Sequence, residues 1–209
     1  LIEWYRVNTS YNAFIREACE VIALFIGPQP QETLSYEDAF LTFLKLNPFN
    51  ASKEELIKFY DQTFDLGLEL IEQPMEVDQN NEMLYFPEEI RKICVADESL
   101  QIFDDAICLV QDPRPFGVFN IKLMKCGGVS AAKKIAALAH ENGIKLMWGC
   151  FDESKVSISA ALHTALSCEN TQYIDLDGFF DLGWDLIDGG YKCENGIMSV
   201  LDKSGLGVY

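Results

Sequence analysis

No apolar run in this chain approaches the roughly 20 residues that a membrane-crossing helix needs, so a membrane partner is not expected. Positive charge is also scarce. Lys and Arg number 16 against 33 Asp and Glu, a formal net charge of −17. Nucleic acid is therefore not an expected partner, because phosphate-backbone binding relies on clustered cations that release counterions. Histidine is limited to His140 and His163, both inside helical patterns, which leaves little basis for a histidine-centred metal or nucleophile site. The seven cysteines are odd in number, scattered, and contain no C-x-x-C pair. Neither a disulfide framework nor a structural zinc site follows from them, and a reducing cytoplasmic setting is expected.

What the sequence does contain is a regular alternation. Ser52-Lys53-Glu54-Glu55 has the spacing of a capping box and opens an amphipathic helix through Leu56, Phe59 and Tyr60. Strands are expected at residues 68–71, 93–96, 118–123, 145–148 and 172–174, with helices at 81–92, 102–110, 130–142 and 154–167 between them. Sequential strand-helix units pack as neighbouring parallel strands with right-handed crossovers. The expected fold is α/β, a partial or trimmed (β/α) barrel of the TIM type, since 209 residues fall short of the roughly 250 typical of the complete form. Residues 1–49 stand apart from the rhythm as a divergent amino-terminal segment, and 50–209 form the barrel portion. An incomplete barrel exposes strand edges, so a homo-oligomer is expected.

Polar residues fall where strands end, which is where such barrels hold their chemistry. Glu72 closes Leu70-Ile71, and Asp97 closes Val95-Ala96. Lys122 follows Asn120-Ile121, where desolvation and a nearby metal can bring an ammonium into the range of a base. Asp175 and Asp177 sit two apart on an extended stretch and point the same way, an arrangement suited to a ligand ammonium.

Together, Ile71-Glu72-Gln73-Pro74, Ala96-Asp97-Glu98-Ser99, the stretch Asn120-Ile121-Lys122-Leu123-Met124-Lys125-Cys126-Gly127-Gly128, Gly149-Cys150 with Glu153-Ser154, and Asp175-Leu176-Asp177-Gly178 resemble the barrel of the enolase superfamily, muconate-lactonizing subgroup. The Asp-x-Asp pair is similar to that of dipeptide epimerases of the L-Ala-D/L-Glu kind. The resemblance covers residues 52–209. It implies Mg²⁺ held by Glu72 and Asp97, with Lys122 exchanging the α-proton of a dipeptide. It also implies a substrate pocket involving Asp175, Asp177 and Cys150, and support for metal and pocket from Glu98 and Glu153. The expected partner is thus a small-molecule dipeptide.

The sequence departs from that pattern in its first third. The family's third metal carboxylate should lie just before the Ser52 helix, where Lys45-Leu46-Asn47-Pro48-Phe49-Asn50 has no acid. Its second lysine should lie further upstream, and no lysine precedes Lys45. Loss of three barrel strands accounts for this better than divergence in place. A Mg²⁺-dependent epimerase-like isomerase is the leading expectation. A catalytically inactive member of the superfamily and a barrel glycoside hydrolase with paired carboxylates are the alternatives.

Overall fold

A computed structural model describes residues 9–47 and 51–209. The chain divides into two compact units, one running to Phe59 and the other spanning Tyr60–Tyr209; the sequence pattern places the division ten residues earlier. The earlier unit contains helices α1 (Tyr11–Ile26) and α2 (Tyr36–Phe43). Their starts are set by hydroxyl caps: Ser10 Oγ accepts from the Ala13 N–H, and Ser35 Oγ from the Asp38 N–H. Neither helix contains a buried residue. Helix α3 (Lys53–Thr63) begins with the expected capping box. The Ser52 N–H donates to Glu55 Oε2 at 2.8 Å, and the Glu55 N–H to Ser52 Oγ at 3.3 Å.

The Tyr60–Tyr209 unit is built on a parallel sheet. After β1 (Ile71–Glu72) come α4 (Glu88–Arg91), β2 (Cys94–Ala96), α5 (Phe103–Leu109), β3 (Val118–Ile121), α6 (Leu123–Cys126), α7 (Val129–Glu141), β4 (Lys145–Trp148), α8 (Lys155–Leu166) and β5 (Thr171–Ile174). The spatial order is β1-β2-β3-β4-β5, every pair parallel. Consecutive strands are therefore neighbours throughout, as in a barrel trimmed to part of its circuit. Strands β2 and β3 are buried at every position, whereas the outer β5 alternates between half-buried and exposed. A strand covered on both faces reads as a continuous apolar run, and these runs made the central strands recognisable. Helix α7 turns Ala132, Ile135, Ala136 and Ala139 inward at helical spacing. Trp148, Phe116 and Phe119 are the bulkiest fully buried side chains of the core.

Two elements differ from expectation. The single helix over 81–92 is instead a 3₁₀ segment, Val77–Tyr85, followed by the one-turn α4. Pro87 lies between them and cannot continue the first helix, because its ring blocks the preceding turn and it lacks an N–H. An antiparallel hairpin, β6 (Tyr191–Glu194) with β7 (Ile197–Val200), was not foreseen. Its two-residue turn is Asn195-Gly196, with φ of 53° and 76°, the pairing of residues that a tight hairpin turn of this hand favours. Among the described residues no helix is long and apolar enough to cross a membrane.

Candidate active site

Register brings the expected residues to one edge of the sheet. Glu72 pairs with Val95, Ala96 with Phe119, and Ile121 with Trp148, so Glu72, Asp97, Lys122 and Gly149 all emerge at the carboxyl end. Asp175 continues the row, its N–H donating to the Trp148 carbonyl at 2.8 Å. The strand peptides are fixed by the ladder, so these side chains start from a rigid base.

Asp97 is the centre of the row. It is only 8% exposed, and Lys122 Nζ donates to its Oδ2 at 2.8 Å. Lys125 Nζ donates to the other carboxylate oxygen, Oδ1, to the Asp97 carbonyl at 2.7 Å, and to the Asn120 carbonyl at 3.3 Å. Burial alone would raise the Asp97 pKa, but hydrogen bonds and charge from the two lysines outweigh it and hold the carboxyl below its ordinary value. For Lys122, burial pulls downward, yet Asp97, then Glu72 and Glu98, leave it above the usual ammonium range. Lys125 is buried more deeply, and burial wins: its pKa is lowered despite Asp97.

The two lysines are thus held differently. Lys125 spends its three N–H groups on three acceptors at the ends of β2 and β3. Lys122 has Asp97 Oδ2 and the face of Phe151, whose centroid is 5.1 Å from Nζ. The four-residue helix α6 makes this possible: starting directly after Lys122, it folds Lys125 back one turn, onto the same face. Gly127, with φ of 90°, then stops the turn.

Glu72 accepts from Asn120 Nδ2 at 2.6 Å. Gln73 braces the same edge from below. Its Oε1 accepts from the Asp97 and Ser99 N–H groups at 3.0 and 3.2 Å, and its Nε2 donates to Ser99 Oγ at 2.7 Å. Glu98 is exposed, and it acts on Lys122 and Lys125 through its charge. Glu153 is buried, with one oxygen accepting from the Phe151 N–H at 2.9 Å and the other from Ser157 Oγ. It fixes its own loop between β4 and α8.

At the β5 end, Cys150 Sγ donates toward the Asp175 carbonyl at 3.5 Å and accepts from the Gly178 N–H at 3.3 Å. Burial, with help from the charges of Asp177, Glu153 and Asp175, pushes this thiol up to about 11, so it stays protonated and serves as a clasp between two loops. A Cβ on Gly178 would stand 1.9 Å from the Phe151 carbonyl oxygen, which explains why glycine occupies that position. Asp152 is raised above the ordinary carboxyl range, first by a hydrogen bond with Asp181 and then by the charges of Asp181 and Asp177. The end of β5 is therefore crowded with acids.

Gln73, Asn120 and Lys125 are site residues that the sequence reading did not single out for a role. The i, i+3 spacing of Lys122 and Lys125 was the available signal for the last of these. Asn47, in the stretch where the third carboxylate was expected, belongs to the earlier unit, where its Nδ2 donates to Glu37 Oε1 at 2.8 Å.

Among the described residues no group of three His, Cys, Asp or Glu side chains gathers to hold a metal. The donors present are nonetheless of one chemical kind. Glu72 and Asp97 offer carboxylate oxygens from adjacent strand ends. An all-oxygen set with one or two carboxylates fits Mg²⁺, which keeps several of its own waters.

Comparison with known proteins places this arrangement in a family. A family model described as "Enolase C-terminal domain-like" matches residues 48–209. The L-Lys-D/L-Arg epimerase of Desulforapulum autotrophicum is 49% identical over 155 residues, 74% of this chain and 44% of that protein. The L-Ala-D/L-Glu epimerase of Bacillus subtilis is 36% identical over 143 residues, 68% of this chain and 39% of that one. Among solved structures, the dipeptide epimerase of Methylococcus capsulatus complexed with Mg and the dipeptide L-Arg-D-Lys aligns with a TM-score of 0.73 at 46% identity. That alignment covers 75% of this chain and 44% of the other. The chain spans less than half the length of these relatives. By its strand order and by the match over its final 162 residues, this chain belongs to the enolase C-terminal domain-like family.

Proposed function

We propose that the strand-end row exchanges the α-proton of the carboxyl-terminal residue of a dipeptide, as part of a dipeptide epimerase reaction. Lys122 is the base, Glu72 and Asp97 hold Mg²⁺, and Asp175 and Asp177 receive the substrate's ammonium group. The observation that carries the reading is the pairing of Lys122 with a buried Asp97 across two neighbouring strand ends. An α-proton beside a carboxylate is a very weak acid, and Mg²⁺, when bound, supplies the charge that stabilises the carboxylate as electrons spread onto it. A lysine base with Mg²⁺ is the general pattern given for enolase-superfamily sites.

The protein's own groups divide the remaining work. Lys122 takes the proton at Nζ while the C–H electron pair stays with the substrate, then returns a proton to the same carbon. Its present partner, Asp97, favours the ammonium form, so the base form requires Asp97's charge to be directed elsewhere, as a bound dication would do. Lys125 keeps Asp97 Oδ1 in place throughout. A base working from one side exchanges hydrogen with solvent and restores the starting configuration, whereas inversion calls for a proton carrier on the opposite face. This region accordingly performs the half of an epimerisation that belongs to Lys122.

The substrate class we infer is a dipeptide carrying cationic side chains. Two relatives that are each 49% identical to this region are named L-Lys-D/L-Arg epimerases, and Asp152, Asp177 and Asp181 add negative charge beside β5. Cys150 and Glu153 support that pocket by fixing its loops, and Glu98 contributes field at Lys122. The family match removes the support for a glycoside hydrolase.

The reading is tested by incubating the protein with Mg²⁺ and a dipeptide panel in D₂O and recording mass and chirality. Deuterium should enter Lys- and Arg-containing dipeptides faster than configuration inverts, and a chelator should stop it. No α-deuteration in any dipeptide would leave the inactive-member alternative standing.

A further inference from the structure

Asn120 Oδ1 is an anomaly that the proposed chemistry does not use. The residue is 1% exposed, and the oxygen has no hydrogen-bond partner. Native proteins rarely leave a buried acceptor unpaired, since doing so forfeits its hydration without replacement. Reversing the amide does not relieve the problem: Glu72 Oε1 lies 2.6 Å from the other amide atom and requires a donor there. The orphan is therefore the oxygen.

Its surroundings show what it faces. A Cβ built on Gly149 would lie 2.6 Å from Asn120 Oδ1 and 2.9 Å from Lys122 Cε. Any other residue at 149 would intrude on both. Glycine is not there for backbone freedom, because Gly149 is absent from the positive-φ positions; it is there for space. The lysine stem and the unpaired oxygen are neighbours across that space, with the ammonium one bond further along the stem. Lys122 currently makes its hydrogen bond to Asp97 Oδ2, while Lys125 is fastened at three points. Of the two ammonium groups on Asp97, the one free to leave is Lys122.

We propose that Asn120 is a positioning residue whose Oδ1 is a second resting place for the Lys122 ammonium, occupied when a divalent cation takes Asp97 Oδ2. The inference rests on the proposed cation site. It couples cation entry to the placement of the base: a dication and an ammonium compete for one carboxylate oxygen, and Asn120 accepts the displaced group. Without that acceptor Lys122 would have to leave Asp97 for no new hydrogen bond, so it would hold Asp97 against the cation.

The probe is Mn²⁺, a paramagnetic substitute for Mg²⁺, with its affinity read by electron paramagnetic resonance in the absence of any dipeptide. Asn120→Leu should weaken Mn²⁺ binding by about tenfold, the scale of one lost hydrogen bond. The decisive variant is Asn120→Leu combined with Lys122→Ala. With no lysine to displace, the double variant should bind Mn²⁺ as tightly as Lys122→Ala alone. Gly149→Ala, which fills the space and leaves the amide intact, should reproduce the loss and should likewise be cancelled by Lys122→Ala, so the test survives if the leucine variant misfolds. If the loss persists in the double variants, Asn120 acts through Glu72 or through folding, and the inference is overturned. Unchanged affinity in Asn120→Leu overturns it as well. Failure of the unsubstituted protein to bind Mn²⁺ would instead overturn the cation site, and this inference with it.

Discussion

At the β2 and β3 ends of the sheet, Asp97 is buried and shared between two lysine ammonium groups. At the β5 end, Asp152, Asp177 and Asp181 are exposed, and the latter two raise the proton affinity of Asp152. With Glu72 counted beside Asp97, two carboxylates face two ammonium groups, so the first arrangement is balanced internally, and hydrogen bonds from residues that follow β1 and β3 hold Asp97. The second holds unspent negative charge at the surface. Balanced, buried charge suits a group that must be placed to within a fraction of an ångström for proton transfer. Unspent surface charge suits recognition of a cationic ligand, whose approach it favours and whose ammonium groups it can receive. Under the proposed function, chemistry belongs to one side of the row and recognition to the other.

Breaking the balanced side should have the largest effect. Asp97→Leu strands Lys122 and Lys125 without their carboxylate, and removing one member of a buried pair typically costs about 3–5 kcal/mol. Chemical denaturation should show that loss. Next in size is Gly178→Ala, in the loop at the acidic side, where the new methyl would overlap the Phe151 carbonyl. Strain of this kind costs about 1–3 kcal/mol, measurable as a lowered midpoint with unchanged denaturant slope.

Acid separates the two sides by sign. The folded-state pKa of Asp97 is depressed, so its contribution is complete above the ordinary carboxyl range of the unfolded chain and is lost as pH falls through the folded value. Asp152 is shifted upward, so its ionised form costs stability that acid relieves. Asp97→Asn should therefore flatten the acid limb of a stability-pH curve, and Asp152→Asn should steepen it slightly. The smallest effect is that of Asp152→Asn at neutral pH, a slight gain in stability from relieving its repulsion with Asp181, visible in a thermal melt.

Which parts were legible in the sequence follows from how each signal is encoded. Cys94-Val95-Ala96 and Val118-Phe119-Asn120-Ile121 sit in a doubly covered sheet, so burial itself writes an apolar run, and the acid or lysine that follows stands out. The 81–92 helix was misread because apolar periodicity continues across Pro87, whereas the backbone does not. Asn195-Gly196 carried a hairpin signal that was overlooked beside the longer strand-helix rhythm. Lys125 was the harder case. A lysine three residues past another on a helix looks like a solvated face, and only the shortness of α6 and the nearness of the β2 end bury it. Gln73 and Asn120 act through contacts between strands far apart in sequence, which spacing along one chain segment cannot reveal.

The division between chemistry and recognition is tested most directly by the rate of α-deuteration of a Lys-containing dipeptide in D₂O, measured against dipeptide concentration for Lys122→Ala and Asp177→Asn. Lys122→Ala should lose exchange at every concentration, by about 10² to 10⁴-fold, the usual worth of a general base. Asp177→Asn should need more dipeptide but approach the unsubstituted rate at saturation. Exchange in Lys122→Ala at the unsubstituted rate would contradict the account.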